Sequence, residues 1–225
     1  MKNETASTTI KEMPAVIVLV AMPNAGKGTL AEELKKNFPI SSLEMGAICR
    51  NEVAKNSTIG QEIATYMAKG QLAPNHIITP LAIDALVNAS TIMLCDGFPR
   101  NLEQAQAMFE AGIEPVIIEI TVSEEEAMKR ASNRLFCPKC RANYTKNNFK
   151  PSKVPGICDI DGSALEQRAD DANPDVVKAR LDVYREKTYP ILDFFRDHNI
   201  QIHSIDGSEA AHVYDRATEI IENLL

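Results

Sequence analysis

The residues Ala21-Met22-Pro23-Asn24-Ala25-Gly26-Lys27-Gly28-Thr29 place glycines, a proline and a lysine directly after the apolar run AVIVLV. A glycine-rich turn in that position lets successive backbone N–H groups converge on an anion at a helix N-terminus, and Lys27 adds a mobile positive charge. This is the chemistry of a phosphate site. The strict phosphate-loop pattern is incomplete, because Ala21 stands where its first glycine is expected and Gly28-Thr29 replaces an immediate Ser or Thr. A second chemistry lies further along. Cys137-Pro138-Lys139-Cys140 and Cys158-Asp159-Ile160-Asp161 carry the paired-knuckle spacing of a zinc ribbon, three thiolates and one carboxylate around a tetrahedral metal. Asp161 fits the two-residue gap better than Asp159. Four protein ligands leave no open coordination position, so the expected metal is a structural Zn2+ rather than a Lewis acid.

No nucleophile with a positioned base is evident. His76, His198, His203 and His212 have no acidic or cysteine partner in the sequence and are read as structural. Cys49 and Cys95 fall in apolar contexts and are read as packed thiols. Arg130 and Arg134 are four residues apart, which predicts that they share a helix face.

The elements that must hold these groups alternate in type. Ala15 to Val20 is a continuous apolar run rich in β-branched residues, suited to a strand buried on both faces of a parallel sheet. Similar runs recur at Thr91 to Cys95, Val116 to Val122 and Ile200 to Ile205, with a short one at Pro39 to Ser42. Helical patterns occupy Thr29 to Asn37 and Ile77 to Val87, and Ser123 with Glu126 forms a capping-box pattern ahead of a run to Asn133. Asn173-Pro174 sets an N-cap and a first-turn proline for one long helix through about Phe195. Two stretches break the alternation: Gly46 to Asn88 is helical without a strand, and Phe136 to Leu165 is rich in Pro, Gly, Asn, Lys and Cys. Both read as insertions at the sheet edge, where nucleotide folds place closing lobes.

Bulk properties narrow the classes. The chain has 225 residues, enough for one substantial core, with 44% hydrophobic residues and no Trp. A net charge of −7, from 24 Lys plus Arg against 31 Asp plus Glu, argues against wrapping nucleic acid. Nucleotides need only a few cations held locally. Three of the five cysteines fall in the metal-like cluster, which favours a reducing compartment, and the run Ala15 to Met22 is too short to span a membrane. A cytoplasmic address follows as the expectation. Residues 1–13 are polar and read as a mobile extension.

From Pro14 onward these segments, in order, resemble the adenylate kinases. Pro23, Gly26, Lys27, Gly28 and Thr29 match the family's phosphate loop; Ala21 and Asn24 depart from it. Asn is among the less costly replacements for a glycine of positive φ. Asp96-Gly97-Phe98-Pro99-Arg100-Asn101-Leu102-Glu103-Gln104-Ala105 is the most specific match. The resemblance implies reversible transfer of a phosphoryl group from ATP to AMP, giving two ADP, with Mg2+ on the nucleotide. It implies an α/β fold, a P-loop doubly wound parallel sheet of about five strands. Two inserted lobes are implied as well: a helical acceptor-binding lobe at residues 44–73 and a zinc-ribbon-like lid at residues 135–171, within a kinase domain of residues 14–225.

Residue by residue, the resemblance makes Asn24, Ala25, Gly26, Lys27, Gly28 and Thr29 contacts of ATP. Arg130 would pack on its adenine, Arg134 on its phosphates, and Asn143, Tyr144 and Glu209 would lie beside it. The acceptor AMP would meet Arg50, Gly97, Phe98, Pro99 and Arg100, with Gln104 reading the base and Gln71, Leu72 and Ala73 lining its pocket. Met45 stands where the family commonly has a Thr or Ser, a missing hydroxyl worth roughly 0.5–1.5 kcal/mol. Arg168 and Arg180 would close over the transferred group with Lys27, Arg100 and Arg134, and Asp96 would orient hydrated magnesium. Cys137, Cys140, Cys158 and Asp161 resemble the zinc set of some bacterial lids. Six of the ten arginines occupy family positions, so an acidic chain gathers its cations at one place. The implied partners are small-molecule nucleotides, with no nucleic acid and no membrane, and the implied state is a monomer. Other readings remain: a monophosphate kinase of another or broader acceptor base, a non-catalytic nucleotide-binding regulator, and a zinc-ribbon module.

Overall fold

The computed structural model describes residues 14–146 and 150–225; the expected extension at residues 1–13 lies outside them. Strand β1 (Val16–Ala21) is buried along its whole length. It runs through the phosphate loop into α1 (Lys27–Asn37), and β2 (Ile40–Glu44) follows. Three helices come next without an intervening strand: α2 (Met45–Ala54), α3 (Thr58–Met67) and α4 (Asn75–Val87). Alternation then resumes with β3 (Ile92–Asp96), α5 (Leu102–Glu110), β4 (Val116–Thr121) and α6 (Glu124–Asn133). A short antiparallel hairpin, β5 (Arg134–Phe136) and β6 (Asn143–Thr145), opens the knuckle segment. The chain closes with α7 (Ala169–Ala172), α8 (Pro174–Val183), α9 (Ile191–Asp197), β7 (Ile202–Asp206) and α10 (Ala210–Glu222).

Five strands form one parallel sheet in the order β2-β3-β1-β4-β7. Alternate residues of β1 face opposite layers. Ile17, Leu19 and Ala21 pack with Leu30 and Leu34 of α1 and with Val213, Ile220 and Ile221 of α10. Val16, Val18 and Val20 pack with the other layer, which includes Ile78 and Leu86 of α4, Met108 of α5 and Phe195 of α9. Chain order reverses about β1, and the crevice at the carboxyl ends of β1 and β3 is where such sheets hold ligands. No helix among the described residues is long and apolar enough to cross a membrane.

Two sequence expectations are corrected. The single helix from Pro174 to about Phe195 is broken: α8 ends in a π-helical turn at Tyr184–Thr188, with Tyr189 N donating to Tyr184 O at 2.8 Å, and α9 restarts at Ile191. Pro190 has no N–H for the helical ladder and its ring displaces the preceding turn. Arg130 and Arg134 do not share a helix face, because α6 stops at Asn133 and Arg134 is extended at φ −74°, ψ 132°. Cross-strand pairing takes over there, with Arg134 opposite Thr145 and Lys146 N donating to Asn133 O at 2.8 Å.

Candidate active site

The phosphate loop is shaped by two left-handed residues, Asn24 at φ 65° and Gly26 at φ 104°. Ala25 N closes a turn onto Met22 O at 3.2 Å, and Gly26 caps α1 without using a side chain. The first N–H groups of α1 therefore remain for an anion. Lys27 Nζ folds back onto the Ala21 and Met22 carbonyls at 2.6 and 3.0 Å. Burial lowers its pKa to about 8, although Asp96 pulls the other way. Both polar atoms of the Asn24 carboxamide are buried without a hydrogen-bond partner.

At the end of β3 the chain turns through Gly97, whose φ of 95° favours glycine and whose missing side chain leaves room for the Arg100 guanidinium, since a Cβ there would lie 2.4 Å from Nη2 and displace it. The backbone of Arg100 is pinned from two sides: its N–H donates to Gln104 Oε1 at 2.7 Å, and Thr188 Oγ1 of the π-helical turn donates to its carbonyl at 2.8 Å. Its guanidinium makes no ion pair or hydrogen bond with the described residues. Burial depresses its pKa, and Asp96 only partly offsets this. Gln104 is itself buried, and its amide nitrogen donates to Asn75 Oδ1 at 2.8 Å. On α2, Gly46 clears space for Arg50, as a Cβ would come within 3.2 Å of Nη1. Burial, then the neighbouring charge of Arg168, lowers Arg50 to about 10.

The remaining arginines are held differently. Arg130 donates from Nε to Glu126 at 2.8 Å, from Nη1 to Ala25 O at 3.2 Å and from Nη2 to Gly207 O at 2.8 Å, so it ties the phosphate loop to the turn after β7. Arg134 Nε donates to Asp171 Oδ2 at 2.6 Å, and Arg180 Nη1 to Asp171 Oδ1 at 3.0 Å. The Asp171 side chain is 0% exposed. Arg168 grips Asp170 with two bonds of 2.9 and 2.6 Å. Burial alone would raise the Asp170 carboxyl, but Arg168 and Arg180 outweigh it and hold it at about 2. Arg134 is lowered to about 10 by burial and by Arg168.

One cavity of about 890 Å³ unites these groups. Lys27, Arg50, Arg100, Arg130, Arg134, Arg168 and Arg180 all line it. So do the loop residues Asn24, Ala25, Gly26, Gly28 and Thr29, together with Asp96, Gly97 and Pro99. Met45, Gln71, Leu72, Ala73 and Gln104 form one flank, and Asn143 and Tyr144 another. Two expected residues are not among the lining. Phe98 is 1% exposed and serves the core. Glu209 is the N-cap position of α10, and its neighbours Gly207, Ser208 and Ala210 line the cavity instead.

Sequence reading missed several wall residues. Glu126 was legible, since it lies four residues before Arg130 on α6. Glu32 on α1 was not: its carboxylate accepts from Asn143 Nδ2 at 2.7 Å and pairs with Lys150 Nζ at 2.5 Å, contacts spanning more than a hundred residues. Arg141 also lines the cavity, and nothing in its local sequence marks it.

Outside the cavity, one ligand atom each from Cys137, Cys140, Cys158 and Asp161 lie within 4.8 Å of one another. Asp159 is otherwise engaged, accepting from Lys153 N at 2.9 Å. The Cys140 and Ile160 amides each approach a cysteine sulfur at 3.4 Å, the N–H···S arrangement that a thiolate favours. The donor set fits a tetrahedral metal. Cys49 and Cys95 are buried free thiols.

Comparison with known proteins identifies the family. The sequence model of the adenylate kinase family matches residues 19–200. An adenylate kinase of Staphylococcus aureus is 38% identical over 215 residues, covering 92% of this chain and 98% of its own length. One from Staphylococcus epidermidis is 36% identical over 216 residues, covering 92% and 99%.

Proposed function

The chain belongs to the adenylate kinase family of enzymes, and from that premise we propose that it moves the terminal phosphoryl group of ATP onto AMP, giving two ADP. The observation that carries this reading is the convergence of Lys27 and six arginines on one cavity, with no described carboxylate in ion-pair reach of Lys27, Arg50 or Arg100. Such charge awaits polyanions. Two nucleotides laid end to end would supply them.

Transfer between phosphates requires no covalent enzyme intermediate. An oxygen of the AMP phosphate bonds to the terminal phosphorus as the bond to the bridging oxygen of ATP breaks, and that oxygen leaves on ADP. The protein's work is to align the two and spread positive charge over the moving group. Lys27 and the α1 N-terminus take the donor phosphates. Arg50 and Arg100 take the acceptor phosphate, and Arg134, Arg168 and Arg180 approach the group in flight. Arginine suits this because its planar fork matches phosphate oxygens and stays ionised.

Asp96, a carboxylate in the cavity wall beside Gly28, fits the orienting of magnesium-bound water. Magnesium, when bound, would neutralise phosphate charge. Cys137, Cys140, Cys158 and Asp161 would hold zinc, which supplies a covalent-strength clasp to a segment whose own apolar cluster is only Cys137, Tyr144 and Cys158 with three partly buried neighbours. The segments at residues 44–73 and 135–171 are the acceptor lobe and the lid in this reading, and a monomer in the cytoplasm is its natural setting.

A broader acceptor base is the second reading. It is favoured by Met45, 3% exposed, which turns an apolar side chain to the cavity where a hydroxyl would discriminate. A coupled assay with ATP, magnesium and AMP, CMP, UMP or GMP tests both. AMP is expected to be the best acceptor. ATP binding without turnover of any acceptor would leave a regulator and remove the kinase.

A further inference from the structure

Arg141 follows the metal-cluster residue Cys140 and adopts φ 66°, a left-handed conformation that side chains other than glycine rarely take. Its N–H donates to Cys137 O at 2.9 Å, so the turn of the knuckle itself imposes that backbone. A bulky residue kept in a glycine-like conformation costs on the order of 1 kcal/mol, and such strain gathers at functional positions. Arg141 is exposed and lines the cavity. No described carboxylate lies within ion-pair distance of it. Its one side-chain hydrogen bond among the described residues is a long one, Nη2 to Asn51 Oδ1 at 3.5 Å, made ninety residues away on α2, next to Arg50. Two arginines from separate parts of the chain thus lie close enough for each charge to disfavour the other, with no described carboxylate in ion-pair reach of either.

We propose that Arg141 is a further cation of the site, a binding residue that the metal knuckle carries over the acceptor nucleotide's phosphate, opposite Arg50. The proposal rests on the reading of the Arg50 side as the acceptor end. Its distinctive content is that the knuckle contributes directly to substrate binding as well as shaping its own segment. The ligand class is a nucleoside monophosphate, recognised through its phosphate. The rival is a purely structural latch, Arg141 to Asn51, with no contact to substrate.

Calorimetric titration of the full metal-loaded chain with AMP, and separately with ATP, distinguishes these. R141A is expected to weaken AMP binding by about tenfold, the scale of one partly exposed charged contact, and to leave ATP within about twofold. R141K recovers part of the loss, because it keeps the charge without the fork. R141G removes the same charge while suiting the left-handed backbone, so it gives the same loss in a chain that folds at least as well. N51A stays within about twofold of the wild type for AMP. Unchanged AMP affinity in R141A and R141G overturns the proposal. An equal loss in N51A, or an equal loss for ATP, overturns it in favour of the latch. Absence of AMP binding by the wild-type chain overturns both this proposal and the kinase reading, whereas tight wild-type binding with no arginine effect overturns this one alone.

Discussion

The cations at the sheet end and on α2 differ from those around the knuckle segment in how they are held. Lys27, Arg50 and Arg100 have no described carboxylate within ion-pair distance, whereas Arg134, Arg168 and Arg180 share Asp170 and Asp171. The difference follows from what lies beneath each group. Lys27 and Arg100 follow β1 and β3, strands locked between two apolar layers, and are placed without a carboxylate: Lys27 rests on backbone carbonyls, and Gln104 and Thr188 hold the Arg100 backbone. Each fully buried Ile, Leu or Val there contributes about 1.5–3 kcal/mol, ample to tolerate a buried charge that no ion pair neutralises. Among the described residues the knuckle segment has a buried cluster of three side chains, and Arg134, Arg168 and Arg180 beside it are aimed by ion pairs, whereas its Arg141 meets no described carboxylate. A rigid base can therefore leave its charge open for ligand, while a thin one must spend part of its charge on carboxylates.

Arg100→Ala gives the sharpest test of that contrast and the largest expected effect. Turnover should fall by about 10²–10³-fold, the scale of one lost transition-state donor. Thermal stability of the free chain should be unchanged or higher, since burial already disfavours the charged form and no protein partner is orphaned. A marked fall in melting temperature would break the comparison.

Arg134→Ala should lower turnover by a comparable or smaller factor and also destabilise the chain by about 2 kcal/mol, because Asp171, fully buried, is left with Arg180 alone. Equal stability in urea unfolding would show that the ion pairs are dispensable. Removal of the metal by a chelator is expected to reduce turnover on the order of tenfold and to open the knuckle segment to protease, because thiolate ligation is coupled to local folding. The melting of the five-stranded sheet should persist. Metal analysis that finds no zinc near stoichiometry in unchelated protein would remove this contrast at its source.

The smallest effect is a proton. Burial leaves Lys27 with a pKa of about 8 in the unliganded chain, below its ordinary value of 10.5, so it is half neutral at pH 8. Bound polyphosphate favours the charged form. ATP binding near pH 8 should then take up ~0.5 proton, measured from calorimetric heats in buffers of different ionisation enthalpy, and ATP affinity should fall as pH climbs above 8. The unfolded chain keeps this proton up to about pH 10.5, so Lys27 makes the free protein more stable as pH rises from 8 towards that value. Zero uptake would mean that Lys27 is already charged and that the base is less desolvated than its burial implies.

Local physics was legible in advance. The buried run that became β1, the glycine-bearing turn, the acidic helix N-terminus capped by Ser123 and the two-residue cysteine gaps are decided by neighbours within a few positions, so they were readable from order alone. The tolerance of Asn24 at a positive φ was legible for the same reason, as its side chain is suited to left-handed backbone. The end of α6 was not, because Arg134 leaves the helix to pair with Thr145, and that partner comes from the next hairpin. Neither was the break near Tyr184, where a proline set the interruption and a contact from Thr188 to Arg100 settled its use.

Sequence by itself determined the kinds of group present and the elements that carry them: cations on strand ends and helices, thiols on knuckles, apolar strands to bury. Only the tertiary structure decided which charges meet carboxylates and which stay open, and that Arg141 reaches the corner beside Arg50. Helix caps and strand patterns depend on bonds between near neighbours, whereas charge neutralisation falls off with distance through space and takes no account of separation along the chain.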